Sequence, residues 1–163
     1  MSKAFVALGS NLNGDLDSPA SQVIRAFQAI DNLPKAKLIK QSSLYQSEPV
    51  GYENQPDFIN AVAEINTQLT PEALLDALLS IENEAGRERT FSNAPRVLDL
   101  DLLLYDDLVL HTKKLTLPHP CMHERGFVLL PLTEIAPDLT LPNHGNVVKL
   151  ALAHQYQGIK KLT

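Results

Sequence analysis

Two carboxylates two residues apart, Asp99 and Asp101, interrupt the apolar run of residues 97–104 in the segment APRVLDLDLLLYDD. On an extended strand side chains alternate, so Leu98, Leu100, Leu102 and Leu104 point one way and Asp99, Asp101, Leu103 and Tyr105 the other. Both acids then share a face. Neighbouring carboxylates repel unless a cation offsets them. Mg²⁺ suits that task because it takes one or two carboxylates and fills its other positions with water and phosphate oxygens. A solvated pair on a half-exposed strand is the competing reading, and Asp-x-Asp alone leaves the two in balance. Just upstream, GRERTFSNAPR puts Arg87, Arg89 and Arg96 in a loop feeding the strand. Guanidiniums beside metal-binding acids suit a polyphosphate that must be neutralised from several sides. Arginines paired with Glu82, Glu84 and Glu88 on a solvated loop are the plainer alternative. Downstream, KLTLPHPCMHERGF adds Lys114, His119, His123 and Arg125.

These groups need a frame. The apolar run at 4–8, closed by the turn signal GSN, reads as a first strand and not as a signal peptide. Ser18 or Asp17 caps a helix over 19–31, with Pro19 in its first turn and Val23, Ala26, Phe27 and Ile30 on one face. Segments 37–46 and 58–67 read as strands, the second apolar at 59, 61, 63 and 65. The Pro-, Gly- and Asn-bearing EPVGYENQPD between them reads as a loop of functional length or a disordered one. Thr70-Pro71-Glu72 starts a second helix that runs to Glu84 and stops at Gly86, and strand 97–105 follows. The order β-α-β-β-α-β is the ferredoxin-like arrangement of an α+β protein, an antiparallel sheet with two helices on one face. Another helix is expected near 124–130, while the pairing of the last third is not readable from pattern.

Composition narrows the chemistry further. A chain of 163 residues with 44% hydrophobic and 20% charged residues fits one ordinary globular domain, without an apolar stretch long enough to span a bilayer. A net charge of −5 argues against a general nucleic-acid binder. Cys121 is the only cysteine, which rules out an internal disulfide and a multi-cysteine zinc site. A cytoplasmic location is the default expectation. His119-x-Cys121-x-His123 has the look of a metal motif, but prolines at 118 and 120 constrain it and a fourth ligand is missing. Gly9 and Asn11 follow the first strand without the Gly-Lys-Ser/Thr of a P-loop, so that turn reads as geometric support. His111, His144 and His154 read as surface residues.

Taken together, GSNL at 9–12, SSLYQSEPVGYENQPDFIN at 42–60, GRER at 86–89, PRVLDLDLLL at 95–104, and LTLPH with RGF at 115–127 resemble the 6-hydroxymethyl-7,8-dihydropterin pyrophosphokinase family of the folate pathway. The match runs in order along essentially the full chain. It implies a single ferredoxin-like domain over residues 1–163 and transfer of the β,γ-pyrophosphoryl unit of ATP to the pterin hydroxymethyl group, with AMP leaving. It implies two Mg²⁺ ions, both held by Asp99 and Asp101. Arg87 and Arg96 become the phosphate-contacting catalytic arginines, with Arg89 in support. His119 and Arg125 are further phosphate contacts, Lys114 and Thr116 lie near adenine and ribose, and Glu82 and the Leu102 backbone also meet the nucleotide. On the pterin side the resemblance implies Phe58 and Phe127 as sandwiching rings, Asn60 on the polar edge, and backbone groups of Ser47, Glu48 and Val50.

Such stacking faces and in-plane donors suit a flat polar heterocycle. Read without the resemblance, the two phenylalanines are more simply core residues, whereas an asparagine within a strand needs partners if buried. The chain departs from the family where Ser92-Asn93 replaces an Arg-Trp pair in a basic loop one residue shorter, and it has no tryptophan. Phe91 is the aromatic that remains there. Leu79, Pro120 and Glu48 also stand where other residues are common. The implied partners are the small molecules ATP and pterin, with no nucleic acid and no membrane, and a monomer is expected. A nucleotidyltransferase is the nearest enzymatic alternative, but there the Gly-Ser turn and Asp-x-Asp lie close in sequence, whereas two helices separate Ser10 from Asp99 here. A non-catalytic ferredoxin-like module would not need both aspartates and three arginines.

Overall fold

The computed structural model describes residues 1–49, 54–86, 95–154 and 158–162. Its elements in chain order are β1 (Ser2–Ser10), α1 (Pro19–Asp31), β2 (Ala36–Gln41), β3 (Tyr45–Ser47), β4 (Phe58–Thr67), α2 (Pro71–Glu84) and β5 (Asp99–Tyr105). The last third adds β6 (Leu110–His111), β7 (Thr116–Leu117), a 3₁₀ turn at Met122–Glu124, α3 (Gly126–Ile135), β8 (Thr140–Leu141), β9 (Gly145–Asn146), α4 (Val147–His154) and β10 (Ile159–Lys161). Local chemistry sets the helix starts. Ser18, not Asp17, caps α1 by accepting the Ser21 amide at 3.1 Å. Thr70 caps α2 by accepting the Ala73 amide at 3.2 Å, and each helix has proline in its first turn.

The main sheet runs β10-β3-β4-β1-β5, with β2 also paired to β4, and every pairing is antiparallel. For the βαββαβ core this is the ferredoxin-like order. Val23, Ala26, Phe27 and Ile30 of α1 and Leu74, Leu78 and Ile81 of α2 bury against Ala4, Val6, Leu8, Ala61, Ala63 and Ile65. The other face is covered by the last third: Val128, Leu129, Leu132 and Ile135 of α3 and Val147 and Ala151 of α4 pack on Phe5, Val62, Leu103 and Leu104. The sheet is thus the middle of three layers, and the expected helix near 124–130 begins at Gly126 and continues to Ile135.

Two expectations about strands need correction. The single strand 37–46 is broken into β2 and β3, both lying along β4. The break falls at Ser42, whose hydroxyl accepts the Val62 amide at 2.9 Å, a bond that a strand carbonyl would otherwise take. Strict alternation also fails on β5. Its pairing with β1 shifts between Phe5, opposite Leu104, and Val6, opposite Leu102, leaving Leu103 as the extra residue of a bulge. Leu104 therefore joins Leu103 under α3. Tyr105 turns to the α1 and α2 side and donates its hydroxyl to the Leu69 carbonyl at 2.5 Å.

A side-chain clasp fastens α3 to the β2–β3 break. Glu134 accepts from the Ser43 amide (3.0 and 3.1 Å), the Ser43 hydroxyl (2.9 Å) and the Tyr45 hydroxyl (2.8 Å). Burial pushes the Glu134 carboxyl up, but the bonds from Tyr45 and Ser43 outweigh it and hold the pKa below its ordinary value. Glu134→Gln is expected to cost about 1 kcal/mol at neutral pH. Because the folded pKa is depressed, that advantage is complete above the ordinary carboxylate pKa and fades as pH falls through the lowered one. Urea unfolding at neutral and acid pH checks this: the two proteins should differ at neutrality and converge in acid.

Candidate active site

The register of β1 builds the floor of the site. Gly9 lies opposite Asn60 on β4 and Asp99 on β5, and Ala7 lies opposite Val62 and Asp101. Directly opposed residues share a face, so the two acids look out on the same side as Asn60. Along that face β1 shrinks from Phe5, buried under α3, to Ala7 and Gly9. The space left open is a cleft bordered by Phe58 and Asn60 of β4, Ser47 and Glu48 at the end of β3, both aspartates, and Arg125 and Phe127 at the start of α3. A Cβ on Gly9 would stand 3.3 Å from Asn60 Oδ1 and 4.0 Å from Phe58 Cδ1. Glycine keeps those two side chains in place.

Asn60 is buried, and its Nδ2 donates to Ser47 Oγ at 2.6 Å. Phe58 and Phe127 are both half-buried and border the same cleft, so neither is spent wholly on the core. The Arg125 guanidinium carbon lies 5.6 Å from the Phe127 ring centre.

Arg96 reaches into this cleft, where its Nη1 donates to Asp99 Oδ2 and both side chains are mostly buried. Its Nε is buried without a hydrogen-bond acceptor among the described residues. The backbone of Arg96 is tied to the first turn: the Asn11 and Leu12 amides donate to its carbonyl at 3.0 and 3.1 Å, and its own amide donates to Asn11 Oδ1 at 2.7 Å. Asn11 Nδ2 in turn donates to Gln55 Oε1 at 2.7 Å and the Pro56 carbonyl at 3.0 Å. One buried amide thus holds the segment entering β5 and the segment entering β4. Arg87, Arg89 and Val50 lie outside the described residues.

A second cleft opens at the outer edge of β5, bordered by Leu100, Asp101 and Leu102 together with Lys114, Thr116 and His119. Asp101 borders both clefts. Lys114 sits in the turn between β6 and β7, closed by Thr112 and Leu115, and forms an exposed ion pair with Asp76 of α2 at 2.9 Å. The His119 amide donates to the Leu103 carbonyl at 2.9 Å. Its Nδ1 accepts the Cys121 amide at 3.2 Å, which assigns the proton of the neutral ring to Nε2. Burial lowers the His119 pKa to about 4, the positive charge of Arg125 adds to that, and Asp99 partly opposes it. His119 is therefore a neutral donor at physiological pH.

Glu82 is placed differently from the nucleotide contact that the resemblance implies. It is buried behind the strand, with Oε2 accepting the Leu100 amide at 2.6 Å, and it borders neither cleft. The zinc-like triplet does not converge either. His123 stacks on His144 with ring centres 3.8 Å apart, while His119 Nδ1 is occupied by the Cys121 amide. Among the described residues there is no group of three or more His, Cys, Asp or Glu side chains able to hold a metal, and no helix long and apolar enough to cross a membrane. Sequence reasoning had not singled out Ala7 as floor or Glu124 at the rim. The taper Phe5, Ala7, Gly9 on one face of a core strand was the available signal for the first.

A sequence model described as 7,8-dihydro-6-hydroxymethylpterin-pyrophosphokinase matches residues 5–137. The chain is 48% identical to a 2-amino-4-hydroxy-6-hydroxymethyldihydropteridine pyrophosphokinase of Haemophilus influenzae, covering 92% of this chain and 91% of that one. It is 44% identical to the protein of that name in Pseudomonas aeruginosa, covering 98% and 96%. The fold is similar to a crystal structure of Plasmodium falciparum HPPK-DHPS with pteroate, at a TM-score of 0.73 and 14% identity. That alignment takes in 98% of this chain but only 46% of the Plasmodium chain, so this chain spans less than half of its length. With the sheet order, the paired acids and the two aromatic walls already in place, the match over residues 5–137 leads to one conclusion: the chain belongs to the 7,8-dihydro-6-hydroxymethylpterin-pyrophosphokinase family.

Proposed function

We propose that the chain transfers the pyrophosphoryl group of ATP to the hydroxymethyl group of 6-hydroxymethyl-7,8-dihydropterin, releasing AMP. The observation that carries this reading is the meeting of two chemically different clefts at Asp101. One offers two phenyl rings and a buried amide, as a flat heteroaromatic demands. The other joins the edge of β5 to Lys114 and His119, which suits a nucleotide whose phosphates run toward the acids.

Asp99 and Asp101 fit Mg²⁺ by donor chemistry: both are hard oxygen ligands on one face, and they are too few to form a cage, which leaves positions for water and phosphate. Two such ions, when bound there with ATP, would supply charge neutralisation of the triphosphate and alignment of the attacking hydroxyl. Arg96 answers the charge that develops as the α–β bridge breaks, and its unmatched Nε is a donor available to a phosphate oxygen. Arg87 and Arg89 act with it. His119 donates from Nε2 without bringing a charge of its own, and Arg125 adds one at the wall of the pterin cleft. Phe58 and Phe127 hold the pterin rings while Asn60, fixed by Ser47, reads their edge. Glu82 acts from behind by fixing the Leu100 amide between the two acids. Substrates so held react without a covalent enzyme intermediate.

Incubation with ATP, Mg²⁺ and the pterin should yield AMP only when the pterin is present. Absence of that AMP from folded protein would overturn the proposal, and pyrophosphate in its place would indicate nucleotidyl transfer. Asp101→Asn is expected to lower turnover by about a hundredfold or more with little change in thermal midpoint. Asp99→Ala should also lose stability, because it strands the mostly buried Arg96.

The depressed His119 pKa gives a separate test on metal-free protein. The ring should titrate near 4 by NMR and stay neutral through neutrality. Since the unfolded chain takes up this proton first, stability should decline as pH falls from 6.5 toward 4. His119→Asn should flatten that slope; an unchanged slope would count against the assignment.

A further inference from the structure

The C-terminal strand bears directly on the pterin cleft. Ile159 of β10 pairs with Ser47 of β3, and the Glu48 amide donates to the Gly158 carbonyl at 3.3 Å. Ser47 is the residue that fixes Asn60, and Glu48 borders the cleft itself. Gly158 has φ +69, and a Cβ built on it would lie 2.8 Å from Glu48 Cδ, 3.0 Å from Oε2 and 3.1 Å from Cγ. The Glu48 side chain therefore lies across the bare α-carbon of Gly158. No side chain larger than hydrogen fits there without moving it.

We propose that Gly158 is a positioning residue for the pterin cleft: it parks the Glu48 carboxylate against β10 and keeps it out of the space in front of Asn60 and Phe58. Glu48 is exposed and its long side chain has several rotatable bonds, so a methyl group at position 158 displaces the carboxylate more readily than it displaces the backbone leading into β10. The cleft is where a displaced acid would be felt, since its wall already includes Asp99 and Asp101 and a further negative charge would compete for the donors that the heterocycle needs. The effect is local to the pterin side, because neither Gly158 nor Glu48 borders the second cleft.

This inference rests on the pterin reading of the first cleft, so its test starts with direct binding. Wild-type protein titrated with 6-hydroxymethyl-7,8-dihydropterin, followed by ligand fluorescence, must bind; if it does not, the functional reading fails and not the positioning role. Given binding, Gly158→Ala should weaken pterin affinity and raise pterin KM about five- to tenfold, with kcat and the KM for ATP within about twofold. The decisive comparison is a double-mutant cycle with Glu48→Ala. If the methyl group acts by displacing the carboxylate, adding Gly158→Ala to the Glu48→Ala protein should have no further effect on pterin affinity. General backbone strain from the positive φ would persist in that background. An unchanged pterin affinity in Gly158→Ala with native circular dichroism, or a loss of equal size with and without Glu48, would each overturn the proposal.

Discussion

Gly9 faces Asn60 across one edge of β1 and Asp99 across the other. Everything that the site needs follows from that placement, because the amide proposed to read one substrate and the acid proposed to hold the charge of the other are fixed by the same strand. Side chains repeat every two residues, so a slip of β1 by one position would take Gly9 from between Asn60 and Asp99 and push Leu8 into the cleft. The core guards against such a slip. Ala4, Val6 and Leu8 are fully or almost fully buried under α1 and α2, and moving them to the other face would expose them beside Asp101.

Only part of the second face is covered by helices, and the rest is open as a cleft. Where β1 carries Phe5, the sheet is roofed by α3 and α4; where it carries Ala7 and Gly9, the roof stops and Arg125 and Phe127 stand at its margin. The clasp of Glu134 on Ser43 and Tyr45 joins the far end of α3 to the strand that ends in Ser47. Packing and recognition are therefore mechanically continuous: the same β3 that anchors the helix presents its last residues to the cleft.

The β-α-β-β-α-β order was legible because its signals are local. Proline after a capping hydroxyl starts each of the first two helices, and periodicity separates them from the strands. The acids were legible for the opposite reason, being polar groups where a core strand should be apolar. What escaped was set by contacts distant in sequence. Leu102, Leu103 and Leu104 are chemically identical, so nothing in them announces that pairing with β1 would slip between Val6 and Phe5 and send Leu104 to the other face. Ser42 breaks its strand only because the Val62 amide lies opposite. Glu82 looked like one more acid near an arginine loop, but its carboxylate completes the unpaired edge of β5 at Leu100. No spacing rule distinguishes those roles.

The bulge at Leu103 has an electrical side as well. Within three residues β5 passes from Asp101, bordering two open clefts, to Leu103 and Leu104, sealed beneath a helix layer. That draws a boundary between wet and dry across the middle of the sheet, with a carboxylate standing at its edge. Low-polarisability wall on one side of a charge leaves its field less screened and directs it outward into the cleft. The extra leucine thus makes the acid beside it more demanding of a cation than the same residue would be on a strand bathed in water along its whole length.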